Sequence, residues 1–284
     1  MSILARVELD GTTHWVASWD ATTWSLLSSR SAPRSLDEAI AAHREADRAW
    51  TNPRSKVTWS DEQLRAPVHR PGKIIGIAAN YRAHAAEVGL PMKPDLRIFA
   101  KFDSSVTGPY ALIRAHSAVT RQVDYEAELA VVIGSALPQG RAIDDPMEYV
   151  FGFTVANDIS ARDIQAATNQ LTQAKSLDTF LPIGPWITVR SPGEAPITDR
   201  VVSSTVNGEI RQQARVRDMV RDVPTIIREV SLLTSLHPGD VILTGSPGGS
   251  GSGFDPPQFL KDGDIVTCEV TGFGMICNRV SMTH

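Results

Sequence analysis

The sequence predicts a β-rich α+β fold, with a small N-terminal α/β domain over residues 1–68 and a larger domain over 69–284. Three observations carry this reading. From Lys73 onward, short apolar runs are punctuated by glycine and proline, the pattern of strands and turns. Before Arg65 the pattern is instead a hairpin followed by one amphipathic helix. Between the two lies Arg65 to Gly72, where Pro67 and Pro71 give a linker composition. A chain of 284 residues is long enough for one large domain and one small, each able to bury a core.

In the first unit, Ala5 to Leu9 and Thr13 to Trp19 alternate around Asp10-Gly11, a turn signal for a hairpin. Ser35-Leu36-Asp37-Glu38 reads as a capping box, and Leu36, Ile40, His43 and Trp50 form one stripe of the helix behind it. His43 is read as a packed residue. Farther on, Lys73 to Ile77 is a buried strand, and Asn80 is placed to cap a helix over Tyr81 to Val88. Arg97 to Phe102 is a strand on which Lys101 shares a face with Phe99, snorkelling outward or reaching an anion. Pro146 after Asp145 opens a short helix, and Phe151 to Ile159 is a strand. Asn207-Gly208 between extended segments is the strongest hairpin signal in the chain. Met219 to Leu236 is mainly helix, with Ile226, Ile227, Val230 and Leu233 on one side, and His237 to Asp240 turns into the strand Val241 to Leu243.

The chemistry centres on Val123 to Ile133. Tyr125, Ala127, Leu129, Val131 and Ile133 share one parity of a strand, and Glu126 and Glu128 share the other. Two residues along a strand span roughly 6.5 to 7 Å, so the two carboxylates can converge on one point. Ionised carboxylates beside an apolar strand need water or a cation, and a hard divalent ion such as Mg²⁺ or Mn²⁺ satisfies both. A third carboxylate, Asp158, ends a strand about thirty residues on, a separation that lets the chain return to its neighbour. Arg162 and Gln165 turn out of that strand end, and Lys175 stands at the lip of a proline-fixed loop. His84 and Glu87, at i and i+3, share a helix face and suit an oriented general base. Gly245 to Gly253 lacks the ending of a phosphate loop and fits close backbone approach to a small anion.

Composition narrows the class. Hydrophobic content of 42% and charged content of 21% are ordinary for a soluble globular protein. A net charge of minus four argues against a nucleic-acid or anionic-membrane surface. There is no apolar run of the roughly 18 to 20 residues a membrane span needs. Glu8 and Asp10 interrupt the N-terminal segment where a signal peptide would be apolar, so a cytoplasmic protein is expected. Cys268 and Cys277 are too few for a zinc site. With Gly272 at the first central position of a tight hairpin the two thiols would face each other, and they are expected to stay reduced.

Taken together, these segments resemble the fumarylacetoacetate hydrolase family. The matching residues are Gly76 to Glu87, Glu126-Ala127-Glu128-Leu129, Asn157 to Asp163, Lys175 to Asp178, Gly184-Pro185-Trp186, Pro238-Gly239-Asp240, Thr244 to Pro247, and Gly272-Phe273-Gly274 with Asn278. The resemblance implies a mixed β-sandwich roll, a Mg²⁺ or Mn²⁺ ion, a homodimer and reactions on 2-oxo or 2,4-dioxo acids. It implies Glu126, Glu128 and Asp158 as metal ligands, and His84, Glu87 and Lys175 as the catalytic residues. Lys101, Arg162, Gln165 and Ser246 are implied as substrate contacts or supporting residues. Ala174, Ser246 and Ser250 depart from the family's frequent residues, which bears on substrate choice. The activity expected first is hydrolysis of a carbon–carbon bond in an acylpyruvate-like acid. Decarboxylation of oxaloacetate, isomerase or lyase chemistry on a related acid, and a metal-binding oxo-acid sensor without turnover are the alternatives.

Overall fold

The computed structural model describes residues 2–18, 23–27, 33–49, 57–87, 89, 95–191, 193–194 and 196–283, without the side chains of 46–49. Strands β1 (Ser2–Leu9) and β2 (Thr12–Ser18) form the predicted hairpin, with Asp10 and Gly11 both at positive φ as a type I′ turn requires. Strand β3 (Ser25–Leu26) extends β2, helix α1 (Leu36–Ala49) follows, and β4 (Leu64–Arg65) returns to β1. Trp50, assigned to the helix stripe, lies outside the described residues. Next come β5 (Ile74–Ile77), α2 (Arg82–Glu87), β6 (Ile98–Ala100), β7 (Val106–Thr107), β8 (Ile113–His116), β9 (Val123–Asp124) and β10 (Ala127–Ile133). A 3-10 turn over Pro146–Tyr149 leads into β11 (Val150–Asn157), then β12 (Ser160–Ala161), α3 (Arg162–Thr168), α4 (Leu171–Lys175) and β13 (Leu181–Val189). The hairpin of β14 (Val201–Val206) and β15 (Glu209–Arg215) turns at Asn207-Gly208. Helix α5 (Val223–Leu233), β16 (Val241–Leu243), β17 (Ile265–Val270) and β18 (Gly274–Thr283) complete the chain.

The large sheet runs β3-β2-β1-β13-β11-β10-β16-β5-β6, with β4 and β7 attached to β1 and β13. A second sheet, β15-β14-β17-β18-β8, packs against one face of it. Leu129, Val131, Ile133, Phe153 and Val155 from the first meet Val202, Val266, Val270, Ile276 and Val280 from the second. The opposite face carries Ala130, Val132, Val241 and Leu243, which cluster with Leu36 and Ile40 of α1 and Leu4 of β1. This is the β-rich sandwich expected. Strand β10 is therefore buried on both faces, and only its start is acidic.

Several expectations are corrected. The first 68 residues do not stand apart, because β1 pairs with β13 (Ile3 with Thr188) and shares a core with the rest. The stretch 123–133 is broken at Tyr125-Glu126, where β9 leaves to pair with β12. Asn80 does not cap α2. Its buried side chain instead donates to Arg221 O and Thr244 O and accepts from Arg221 N, bracing three segments. Helix α5 starts later than predicted, at an Asp222 cap that accepts from Thr225 N, and Leu233 at its end is 54% exposed. The thiols do not face each other. The turn has three residues, so Cys268 is opposite Ile276 and Cys277 opposite Thr267, a one-residue shift that sends the two side chains to different faces.

Candidate active site

Strand register assembles the acids. Strands β10 and β11 are antiparallel neighbours with Ala127 opposite Asn157, so Glu126 and Asp158 fall opposite each other just past the ladder's end. Asp158 N donates to Glu126 O at 2.8 Å, and Asn157 Oδ1 accepts from Glu126 N. Glu128 points to the same side as Glu126, and the three buried carboxylates present oxygens within 4.8 Å of one another. The convergence required by the sequence reading is met.

Two lysines and an arginine surround this charge. Lys175, at the end of α4, places Nζ 2.6 Å from both Glu126 Oε2 and Asp158 Oδ2, with Phe99 beneath it at 5.1 Å. Lys101 reaches Asp158 Oδ1 at 2.7 Å from the far side and is enclosed by the carbonyls of Ile159, Lys175 and Phe180. It therefore anchors Asp158, the supporting one of the two roles expected for it, and has no free face for a substrate. Arg162 donates to Asp124 at 2.7 Å, to Glu126 at 2.5 Å and to Gln165 at 2.9 Å. Burial would raise the Glu126 pKa, but Lys175, Arg162 and His84 outweigh it and hold the acid well below the usual range. Glu128 goes the other way: burial, then Asp158 and Glu126, push it well above. Burial opposes the charge on Lys175, but Asp158 and Glu126 raise its pKa overall, whereas for Lys101 burial prevails.

Beside the acids is a cavity of about 190 Å³, lined by His84, Glu126, Glu128, Arg162, Gln165, Lys175 and Ser246 among others. His84 Nδ1 lies 3.3 Å from Glu87 Oε2 and its Nε2 3.8 Å from Glu126 Oε1, so the predicted dyad faces the triad. Ser246 is held by Gln212 at 2.7 Å. The glycine loop was expected to let backbone approach a small anion, and the anions its amides meet are internal ones. Its amides go to the protein's own acids: Gly245 N to Glu128, Gly249 N to Glu87, and Gly251 N and Ser252 N to Asp124. A Cβ on Gly248 would meet Glu87 Oε1 at 2.7 Å, so a larger residue there would displace the Glu87 carboxylate. Asp124 and Arg97 were not singled out from sequence. Asp124 continues the parity of Glu126 and Glu128, a signal that was available; Arg97 lines the cavity through a fold contact that no spacing announces.

Comparison with known proteins adds to this geometry. Residues 73–281 match the family model described as fumarylacetoacetate (FAA) hydrolase, C-terminal. The chain belongs to the fumarylacetoacetate hydrolase family. Within the family it is 38% identical over 271 residues to oxaloacetate tautomerase YisK of Bacillus subtilis (strain 168), covering 87% of each chain. Its fold resembles fumarylacetoacetate hydrolase from Exiguobacterium antarcticum, with a TM-score of 0.85, 33% identity, and 99% and 100% of the two chains covered. It also resembles 5-carboxymethyl-2-hydroxymuconate delta-isomerase from Mycobacterium smegmatis, with a TM-score of 0.75, 30% identity and 99% of each chain covered. Among the described residues, no helix is long and apolar enough to cross a membrane.

The triad fits the divalent ion associated with this family. All three donors are hard carboxylate oxygens, and Glu128 has no cationic partner among the described residues, accepting only from Gly245 N. A buried acid pressed between two like charges is the arrangement that a divalent cation relieves.

Proposed function

We propose that this enzyme interconverts the keto and enol forms of a small 2-oxo dicarboxylic acid of the oxaloacetate type, with Mg²⁺ or Mn²⁺ held by Glu126, Glu128 and Asp158. The observation that carries the reading is that one small cavity joins Glu126 and Glu128 of the acidic triad, the Lys175 ammonium and a His84 whose Nδ1 is engaged by Glu87. The ion would supply Lewis-acid polarisation of the 2-oxo group.

The chain's own residues account for the proton traffic. With Nδ1–H donating to Glu87, His84 Nε2 keeps its lone pair and takes the proton from the carbon next to the oxo group. That C–H electron pair becomes the carbon–carbon double bond, the oxo oxygen takes a proton from water, and His84 Nε2 returns its own to water, so nothing is consumed. Lys175, with two N–H groups given to Glu126 and Asp158, offers its third to the oxygen as its charge develops. Arg162 commits three of its five N–H groups to Asp124, Glu126 and Gln165 and serves to orient Glu126. The exposed guanidinium of Arg97, on the cavity wall, is placed to meet a distal carboxylate. The volume of about 190 Å³ falls below the ~300 Å³ at which drug-sized ligands are held, which favours a short acid over a long acyl chain.

A second reading, hydrolysis of a carbon–carbon bond in a 2,4-dioxo acid, draws support from the likeness to the Exiguobacterium hydrolase. There His84 would instead take its proton from water. Assays with Mg²⁺ and Mn²⁺ separate the readings: enol absorbance of oxaloacetate on one side, carboxylic acid released from an acylpyruvate on the other. We expect tautomerisation to exceed hydrolysis, and Glu126→Gln to remove both metal binding and turnover. Full activity in that variant overturns the assignment. A homodimer, implied by the family, is part of the proposal, and light scattering of the purified chain tests it.

A further inference from the structure

A second cavity, of about 650 Å³, lies between the start of the chain, the 64–71 segment and the 103–111 segment, and shares no lining residue with the catalytic one. Its charge is unbalanced. Arg6, Arg65 and Arg70 line it with His69, and among the described residues only Arg65 has a carboxylate partner, Glu8 at 3.0 Å. Arg6 is half-buried on β1. It makes one long hydrogen bond, 3.4 Å to Ala66 O, and lies 5.9 Å over the Trp15 ring. Burial and the charges of Arg65 and Arg70 bring its pKa down to about 10. Arg70 is exposed, at positive φ, and has no partner among the described residues. His69 is pushed toward its neutral form by burial and by the same arginines, Arg6 and Arg70. The hydroxyls of Ser104, Thr107 and Tyr110 on the wall make no hydrogen bond among the described residues. The acids lining the cavity are Glu62 and Asp103, both exposed.

We propose that this cleft binds a small polyvalent anion, a phosphate ester or a polycarboxylate, between Arg6 and Arg70. Like-charged guanidiniums held together at a partly desolvated site repel each other, and an anion bridging them removes that repulsion while taking charge-assisted bonds from both. A single carboxylate would leave one guanidinium unmatched, whereas two or more negative charges match both. The hydroxyls supply the neutral donors that a phosphate or carboxylate oxygen accepts. The site is apart from the catalytic acids and does not depend on the reaction proposed above.

The test is calorimetric titration of inorganic phosphate and, separately, citrate into the full chain at low ionic strength with no divalent ion added. Wild type should bind one anion per chain, and Arg70→Ala should weaken binding about tenfold or more, the value of one charge-assisted contact. Arg6→Gln should do the same, and Arg141→Ala, exposed and outside both cavities, should change nothing. Tighter phosphate identifies a phosphate ester as the class, and tighter citrate a polycarboxylate. Absence of binding by wild type overturns the proposal, as does equal affinity in Arg70→Ala, or a loss seen only in Arg141→Ala. So does a cleft that takes no anion while Arg70→Ala converts a dimer to monomer, since an acidic side chain of a second copy would then be its occupant. Turnover enters none of these readouts, so the result stands apart from the oxo-acid assignment.

Discussion

At the scale of single residues, Lys175 takes the position between Glu126 and Asp158 that a cation would share, and Asp124 holds Arg162 in place behind them. Asp124→Asn should therefore lower divalent-ion affinity by about ten- to a hundred-fold, the usual cost of losing a group that orients a ligand. Calorimetric titration with Mn²⁺ would read it. Asp163 gives a pH signature. Burial opposes its ionisation, but Thr120 and the amides of Arg121 and Ile164 outweigh this and depress its pKa. A depressed acid adds stability above its unfolded pKa, near 3.9, and loses it as pH falls through the folded value. Asp163→Asn should flatten the acid limb of a stability profile without altering it at neutral pH beyond a constant offset. Much of this scale was legible, because Glu126 and Glu128 announce themselves by alternation and Asp158 by its place at a strand end. Asp124 has the same parity, but the interruption of the strand at Tyr125-Glu126 gives it a different strand partner, which no local pattern encodes. Which of its two expected roles Lys101 takes was not legible, because its face on the strand says nothing about the three carbonyls that close over it.

At the scale of elements, the site rests on how a few segments are pinned together. Asn80 ties the start of α2 to Arg221 and Thr244 through three hydrogen bonds. Asn80→Ala leaves those buried backbone groups without partners, and a loss of about 2 to 4 kcal/mol, measured from the urea midpoint, is expected. Gly76 on β5 lies under the Phe99 ring, so a Cβ there would fall within the ring. Gly76→Ala should displace Phe99 from beneath Lys175 and cost about 1 to 3 kcal/mol by overpacking. Turn chemistry made the hairpins at Asp10-Gly11 and Asn207-Gly208 readable. The Thr271 to Phe273 turn was not, since a glycine fits either a two- or a three-residue loop and only the second sheet's pairing decides between them.

At the scale of the whole molecule, the 1–68 boundary followed from composition, but β1 completes the edge of β13 and α1 covers the outer face of the large sheet. We expect residues 69–284 produced alone to aggregate, because removal of β1 bares a strand edge and an apolar face together. A soluble, two-state fragment with the full-length urea midpoint would show instead that this unit folds independently. Pairing between residues 2–4 and 187–189 is remote in the chain, so neither periodicity nor a proline-marked linker discloses it. The β-rich character, by contrast, is written in short runs throughout and was readable.

The glycine loop couples three otherwise separate duties, because one backbone path supplies the amides that fix Glu87, Asp124 and Glu128. A deformation of that path would detune the base, the arginine support and an ion ligand in a single event. Adaptation to another acid is therefore easier from Asn169 and Leu171, which border the cavity and carry none of these obligations. A library randomised at those two positions should retain metal affinity while varying in preference, and one randomised at 248–251 should lose both.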